Sequence, residues 1–166
     1  MHQFSIKRFS PQIDHNEIID LIKNIKQDEF NEKLEPETIA SLQNLKNFFY
    51  SKNHQSINFW VALNNEQVVG CIGLKLLNDS AAEIKRFFIQ KKFRGTGISR
   101  ALMTAAFDEA KKEKIQTVYV ATGSINERAI HFYQKYGFQE ISQKELPAGY
   151  VFDPLDDRFF VKDKLS

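Results

Sequence analysis

The stretch KKFRGTGISRALM, Lys91 to Met103, places two of the chain's seven glycines two positions apart, Gly95 and Gly97. Without a Cβ, glycine accepts positive φ and lets a ligand come close to the main chain. Set just ahead of a helix, such a turn aims unpaired N–H groups at one point, where the helix dipole also favours negative charge. Arg94, with Lys91 and Lys92 nearby, adds local positive charge. The chemistry that suits these residues is the holding of a phosphate. The plainer use of the same spacing is a tight turn between a strand and a helix, and both readings stand at this point.

Other motifs compete for the same residues. A Walker loop, G-x-x-x-x-G-K-[ST], is absent. A dinucleotide fingerprint needs a third glycine where this chain has Arg100, and it normally opens its domain. Gly97 to Ala101 spells G-x-S-x-A, close to the nucleophile elbow of hydrolases, with Asp108 and His131 following in matching order. That elbow must leave a strand directly, whereas QKKFRGT intervenes here. The lone Cys71 sits in the apolar run VVGCIGL, where a thiol serves as a small buried hydrophobe.

The elements that must position these residues follow from periodicity. FSIKRF alternates as a first strand. Ile18, Leu21, Ile22 and Ile25, then Ile39, Leu42, Leu45 and Phe49, recur at helical spacing and predict two early helices. INFWVAL and VVGCIGLKLL, joined by NNEQ, predict a hairpin, and AAEIKRFFI extends it into a meander. A helix from the glycine loop to about Lys114 and a strand TVYVAT complete a parallel crossover. Ser124 to Glu127 reads as a capping box for a last helix, with Ile125, Ala129, Phe132, Tyr133 and Tyr136 on one face and Gly137 ending it. That face leaves His131 on the exposed side. FQEISQ and DRFFVKDKL add two strands around the loop KELPAGYVFDPLD.

At 166 residues the chain suits one domain, 1–166. A net charge of +2, with Lys and Arg dispersed, argues against nucleic acid as a partner. One cysteine allows no intrachain disulfide, and the histidines at 2, 15, 54 and 131 show no metal-ligand spacing, so no metal is expected. No stretch reaches the roughly 18 apolar residues of a membrane span, and no apolar leader opens the chain. A reduced, cytoplasmic protein without a membrane partner is the expectation.

Three segments carry a family resemblance. RGTGIS fits R-x-x-G-x-(G/A) except at Ser99 and resembles the acetyl-CoA loop of the GNAT N-acetyltransferase superfamily. AEIKRFFIQKKFRGTGISRALM is similar to that family's fourth strand running into the loop. NERAIHFYQKYGF resembles its N-x-x-A-x-x-F-Y-x-x-x-G-F helix. The resemblance implies an α/β (α+β) fold: a mixed, mostly antiparallel sheet of about seven strands, splayed between the fourth and fifth, with about four helices. It implies acetyl-CoA as co-substrate, its pantetheine arm beside the backbone of Phe88 and Ile89, and its pyrophosphate on the amides of Arg94, Gly95, Thr96, Gly97, Ile98 and Ser99. Asn126 would contact the far side of the arm. A homodimer is compatible with it.

The implied reaction is direct acetyl transfer to a primary amine, and it poses two proton problems. An alkyl ammonium has a pKa near 10.4, so only about one in a thousand is nucleophilic at pH 7. By the resemblance Glu83 is the base, provided burial or a water relay strengthens it; the other reading makes it a salt-bridging strand residue beside Lys85 and Arg86. Tyr133 aligns with the family's general acid for the leaving thiolate, its alternative being core packing. The acceptor, a small amine or a peptide amine, would meet the early helices and the last loop. There Asp28, Glu29, Glu32, Glu35 and Glu37 form either an amine-attracting or a merely solvated face, and Tyr150, Phe152 and Phe159 are candidate walls. The reading from another class is a CoA-binding sensor or regulatory module without turnover.

Overall fold

β-branched and aromatic runs interrupted by polar turns build seven strands, and the helical repeats pack on both faces of the sheet they form. A computed structural model describes residues 3–165. In chain order the elements are β1 (Ser5–Arg8), α1 (His15–Phe30), α2 (Pro36–Gln43), α3 (Leu45–Phe48), β2 (Phe59–Asn64), β3 (Gln67–Leu76) and β4 (Ala81–Ile89). Then come α4 (Ile98–Lys112), β5 (Thr117–Thr122), α5 (Glu127–Tyr136), β6 (Gln139–Ile141) and β7 (Arg158–Lys162). The sheet order is β1-β2-β3-β4-β5-β7-β6, antiparallel except for the β4–β5 pair. Among the described residues no helix is long and apolar enough to cross a membrane.

The NNEQ turn is tight because Asn65 and Glu66 both take positive φ, 49° and 65°, the mirror-image geometry that follows strand twist. On one face Ile18, Ile22, Leu42 and Phe49 bury against Phe59, Val61 and Cys71. On the other, Leu102, Met103 and Ala106 of α4 pack on Ile72, Leu74, Val118 and Val120. Phe49 of the first layer packs directly over Gly73: a Cβ there would stand 2.5 Å from a ring carbon of Phe49.

Three sequence expectations shift. The second early helix is two, because Asn44 leaves helical backbone (φ −137°, ψ 51°) between α2 and α3. Ser124 is not a cap: its N–H and hydroxyl donate to the Asp157 carboxylate, and Asn126 caps α5 by accepting from the Ala129 N–H. Ile125 therefore lies outside the helix and is 72% exposed, while Ile130 takes the buried place on the helix face. Gly137, at φ 102°, ends α5.

The feature that makes a site is the parting of β4 and β5. They pair from Ala81–Thr117 to Ile84–Val120 and no further, although β4 runs on to Ile89. The break coincides with a bulge: between the Gly73–Lys85 and Cys71–Phe88 pairs, Arg86 and Phe87 face Ile72 alone. Arg86 takes φ 56° there. A bulge bends the strand and re-aims its side chains. Here it sends β4 away from β5 and brings Arg86 onto the face that already holds Glu83 and Lys85, against Ser41 of α2.

Candidate active site

Beyond the bulge one edge of β4 has no strand beside it. Gln90 donates to the Val69 carbonyl, so by antiparallel alternation Phe88 bonds to β3 and the backbone groups of Ile89 point away from it, into the gap. This edge borders a groove of about 1060 Å³ that runs along Phe87 to Ile89, past Lys91, Arg94, Gly95 and Ser99, and is closed on the far side by Asn126, Ala129 and Phe132 of α5 and its cap. Its size is at the upper end of small-molecule sites.

The glycine loop forms one end of that groove. Gly95 and Gly97 have φ 77° and 95°, and no atom lies within 4 Å of where a Cβ would stand at either. The pair is thus required by backbone conformation and not by packing, and the space over it is open. Gly97 also heads α4, which has no side-chain cap; its first hydrogen bond is from Ala101 N–H to the Gly97 carbonyl. The N–H groups of Ile98, Ser99 and Arg100 consequently lie at the positive end of the helix.

Two parts of the loop differ from expectation. Arg94 N–H is held by the Lys91 carbonyl at 3.2 Å, so the amides open to an anion begin at Gly95. The Arg94 side chain is likewise engaged: its guanidinium grips both oxygens of Glu29 at 2.5 and 2.7 Å and donates to the Ile89 carbonyl at 3.2 Å. It ties α1 to the loop at the edge of the groove. Thr96 anchors the turn by donating to the Phe93 carbonyl.

A second cavity, about 350 Å³, lies on the other side of the parted strands, between β4, β5, α1, α2 and the loop before β7. Glu83 is at its floor, 1% exposed, with its pKa raised chiefly by burial against the opposing pull of Lys85. Lys85 Nζ is 3.7 Å from Glu83 Oε1, an ion pair longer than a hydrogen bond. Tyr150 faces the same carboxylate closely enough that each perturbs the other, yet neither Glu83 Oε1 nor Tyr150 Oη has a hydrogen-bond partner among the described residues. Buried polar groups left unpaired cost about 1–3 kcal/mol each.

Tyr133 stands where the two cavities meet, together with Phe87, Phe88, Ile125 and Asn126. Its ring packs against Phe138, Phe160, Phe132 and Phe87 at centroid distances of 5.7, 5.9, 6.2 and 6.3 Å. Burial first, and Asp156 second, push its phenol above the ordinary range, so it stays protonated. Core packing and access to the site are both present at this one residue.

The remaining candidates fall outside this constellation or change role. Ser99 lies in the first turn of α4, separated from β4 by the 3-10 turn Lys91–Phe93, so no nucleophile elbow forms. Cys71 is fully buried, donates to the Arg86 carbonyl at 3.1 Å, and burial pushes its thiol up to about 12. In the acidic run, Glu29 is taken by Arg94 and Glu32 by Lys26 at 3.3 Å, leaving Asp28, Glu35 and Glu37 on the solvated face. Tyr150 and Phe152 line the smaller cavity, whereas Phe159 is buried behind Phe152 at 4.9 Å. His2 lies outside the described residues, and among those described no group of three or more His, Cys, Asp or Glu could hold a metal ion.

Sequence reasoning missed Lys26, Thr38, Arg86, Asp153 and Asp156, all of which line the smaller cavity. Arg86 reaches it only because of the bulge, which periodicity does not announce. The two aspartates lie in an irregular loop whose path is set by contacts, among them Asp157 N–H to the Thr122 carbonyl.

Comparison with known proteins agrees with this architecture. The model of the acetyltransferase (GNAT) family matches residues 18–138. The chain is 31% identical over 106 residues to the N-acetylaspartate synthetase of Danio rerio, covering 61% of this chain and 37% of that protein. It is 32% identical over 90 residues to N-acetyltransferase 8 of Homo sapiens, covering 51% and 40%. The chain thus spans about two fifths of the length of these curated relatives. Among solved structures, an acetyltransferase of GNAT family from Staphylococcus aureus Mu50 superposes with TM-score 0.86 at 28% identity, covering 97% of this chain and 99% of that one. An acetyltransferase from Streptococcus agalactiae gives 0.85 at 28%, covering 96% and 98%. The PaiA N-acetyltransferase from Thermoplasma acidophilum, solved in complex with coenzyme A, shares the fold at 21% identity, covering 97% and 99%, with TM-score 0.69.

Proposed function

The chain belongs to the acetyltransferase (GNAT) family, and from that premise we propose that it transfers an acetyl group from acetyl-CoA directly to a primary amine held in a ternary complex. One observation carries the reading: where β4 and β5 part, a groove with an open glycine turn and an uncapped helix meets a cavity floored by the buried Glu83 carboxylate, whose Oε1 has no hydrogen-bond partner among the described residues, and Tyr133 stands at the junction. These features fit the co-substrate. The amides of Gly95, Thr96, Gly97, Ile98 and Ser99 suit a pyrophosphate, and the unpaired edge of β4 at Ile89, with Phe88 beside it and the Ile89 carbonyl also accepting from Arg94, suits an extended amide-bearing arm bonded as an added strand would be.

Acetyl-CoA supplies a thioester already activated toward amines. The chain's own residues manage the protons. An ammonium acceptor gives up two protons per turnover as its nitrogen forms the new C–N bond and the C–S bond breaks. Glu83 takes the first, and its raised pKa makes it a stronger base than an ordinary carboxylate. Tyr133 donates its hydroxyl proton to the departing sulfur and is restored by the second, so one proton leaves to solvent and one ends on the thiol. A reducing, cytoplasmic setting is part of this proposal, as is action on a free or peptide-borne amine rather than on nucleic acid.

The test is thiol release from acetyl-CoA with a panel of amines, amino acids, aminoglycosides and short peptides, beside calorimetric titration with CoA. Turnover with any member is the expected result. CoA binding without turnover across the panel would instead favour a regulatory module, and absence of CoA binding would remove the reading of the glycine loop.

A further inference from the structure

We infer that the acceptor carries a carboxylate as well as its amine, an amino acid rather than a polyamine or an uncharged-tailed amine, and that Arg86 is the seat of that carboxylate. The inference rests on the proposed function, in which the smaller cavity receives the acceptor.

Arg86 differs from the other partly buried guanidinium groups. Arg8, Arg94 and Arg158 are each held by a carboxylate, Glu109, Glu29 and Glu140. Arg86 forms no ion pair among the described residues; its hydrogen bonds, from Nε and Nη2, go to the single hydroxyl of Ser41 at 3.4 and 3.3 Å. Ser41 is itself 1% exposed and donates to the Thr38 carbonyl, so its oxygen fixes the guanidinium without neutralising it. Glu83, Asp153 and Asp156 act on it only through space, and a bidentate carboxylate in direct contact is the partner its planar fork matches best. The unusual backbone at this residue, φ 56° in a bulge, is what turns the fork into the cavity.

The opposite pole is acidic, and Lys85 stands 3.7 Å from Glu83 Oε1, too far for a hydrogen bond. Glu83 Oε1 has no hydrogen-bond partner among the described residues, and Asp156 lines the same cavity. A ligand with an ammonium at one end and a carboxylate a few bonds away would satisfy both poles at once. A polyamine would offer no carboxylate to Arg86, which, unlike Lys26 and Lys85 with Glu32 and Glu83, forms no ion pair among the described residues. At about 350 Å³ the cavity is near the lower end of small-molecule sites, suiting a ligand of amino-acid size. The acidic run of α1 does not reverse this preference, because Glu29 and Glu32 are already paired with Arg94 and Lys26. In the resulting reaction the C–N bond forms at the amine and the C–S bond breaks, the protons moving through Glu83 and Tyr133. The acceptor's carboxylate leaves unchanged on the N-acetyl product.

The experiment compares the standard amino acids with their carboxamides and with spermidine, by thiol release and by calorimetry on protein saturated with CoA. For the best amino acid we expect kcat/KM to exceed that of its carboxamide by about tenfold or more, the scale of a lost charged hydrogen bond. Arg86→Gln should bring that ratio close to unity by lowering the acid alone. Carboxamides or spermidine performing as well as the acids would overturn the inference while leaving acetyl transfer in place. Amino acids that bind in the presence of CoA but never turn over would support the seat and refute the transfer. Neither binding nor turnover of any amino acid would overturn the inference, and since the acid-to-amide ratio is read on unaltered protein, no misfolding of the variant can hide the outcome.

Discussion

Replacing Tyr133 by Phe removes one oxygen and leaves the ring among Phe138, Phe160, Phe132 and Phe87, all within 6.3 Å. The four ring contacts survive, so stability should change by no more than about 1 kcal/mol. If the hydroxyl protonates the leaving sulfur, kcat should fall by about 10²–10⁴, the usual worth of a positioned acid. At about 1.36 kcal/mol per tenfold, that is roughly 3–5 kcal/mol of barrier. The large catalytic loss beside a small stability change is the signature to look for. Thiol release measured under single turnover, thermal unfolding and CoA titration on the same preparation separate chemistry, folding and binding. Because burial and Asp156 raise the phenol, the unsubstituted protein should show no alkaline fall from this residue below about pH 10. A Tyr133→Phe protein that binds CoA and loses less than about tenfold in kcat would refute the assignment, leaving Tyr133 a packing residue.

Glu83 must be deprotonated to act as a base, and burial raises its pKa, so activity should rise with pH through a value above the ordinary 4.3 or so. Glu83→Gln should abolish that limb and depress the rate; an unaltered kcat/KM profile would exclude the role. Gly97→Ala meets no neighbour but forces φ 95° on a residue with a Cβ, costing about 1–3 kcal/mol. At about 2–4 °C per kcal/mol, calorimetry should find a clear drop in Tm, and an unchanged Tm would contradict a left-handed backbone at Gly97. Gly73→Ala drives a Cβ to 2.5 Å from Phe49 and should destabilise by about 1–3 kcal/mol in urea. Adding Phe49→Leu should restore part of that loss, and no recovery would mean the ring is not the obstacle.

Much of this was written into local sequence. Period-two and helical patterns predict the strand and helix order, because each element must bury one face whatever its neighbours are. RGTGIS predicts an open anion-binding turn because only glycine holds those φ values comfortably, and NERAIHFYQKYGF predicts a capped helix presenting Tyr133. The asparagine that opens that motif proves to be the cap itself, through Ala129 N–H. Local rules also misled where two caps competed: Ser124 had the right spacing, but Asp157, distant in sequence, took its hydroxyl.

What the sequence could not hold was the meeting of residues far apart in the chain. Arg94 lies in a basic cluster on paper, yet Glu29, sixty-five positions earlier, turns it into a brace for the loop. Glu83 reads equally as a base or as a salt-bridging strand residue, and only the assembled sheet shows it 1% exposed with Lys85 3.7 Å from Oε1. Arg86 reaches the smaller cavity only because one extra residue in β4 shifts the register against β3. Propensity and pattern act within a few residues and so determine the elements. Burial, charge pairing and register are properties of the assembled sheet, and these alone decided which polar groups meet in one cavity.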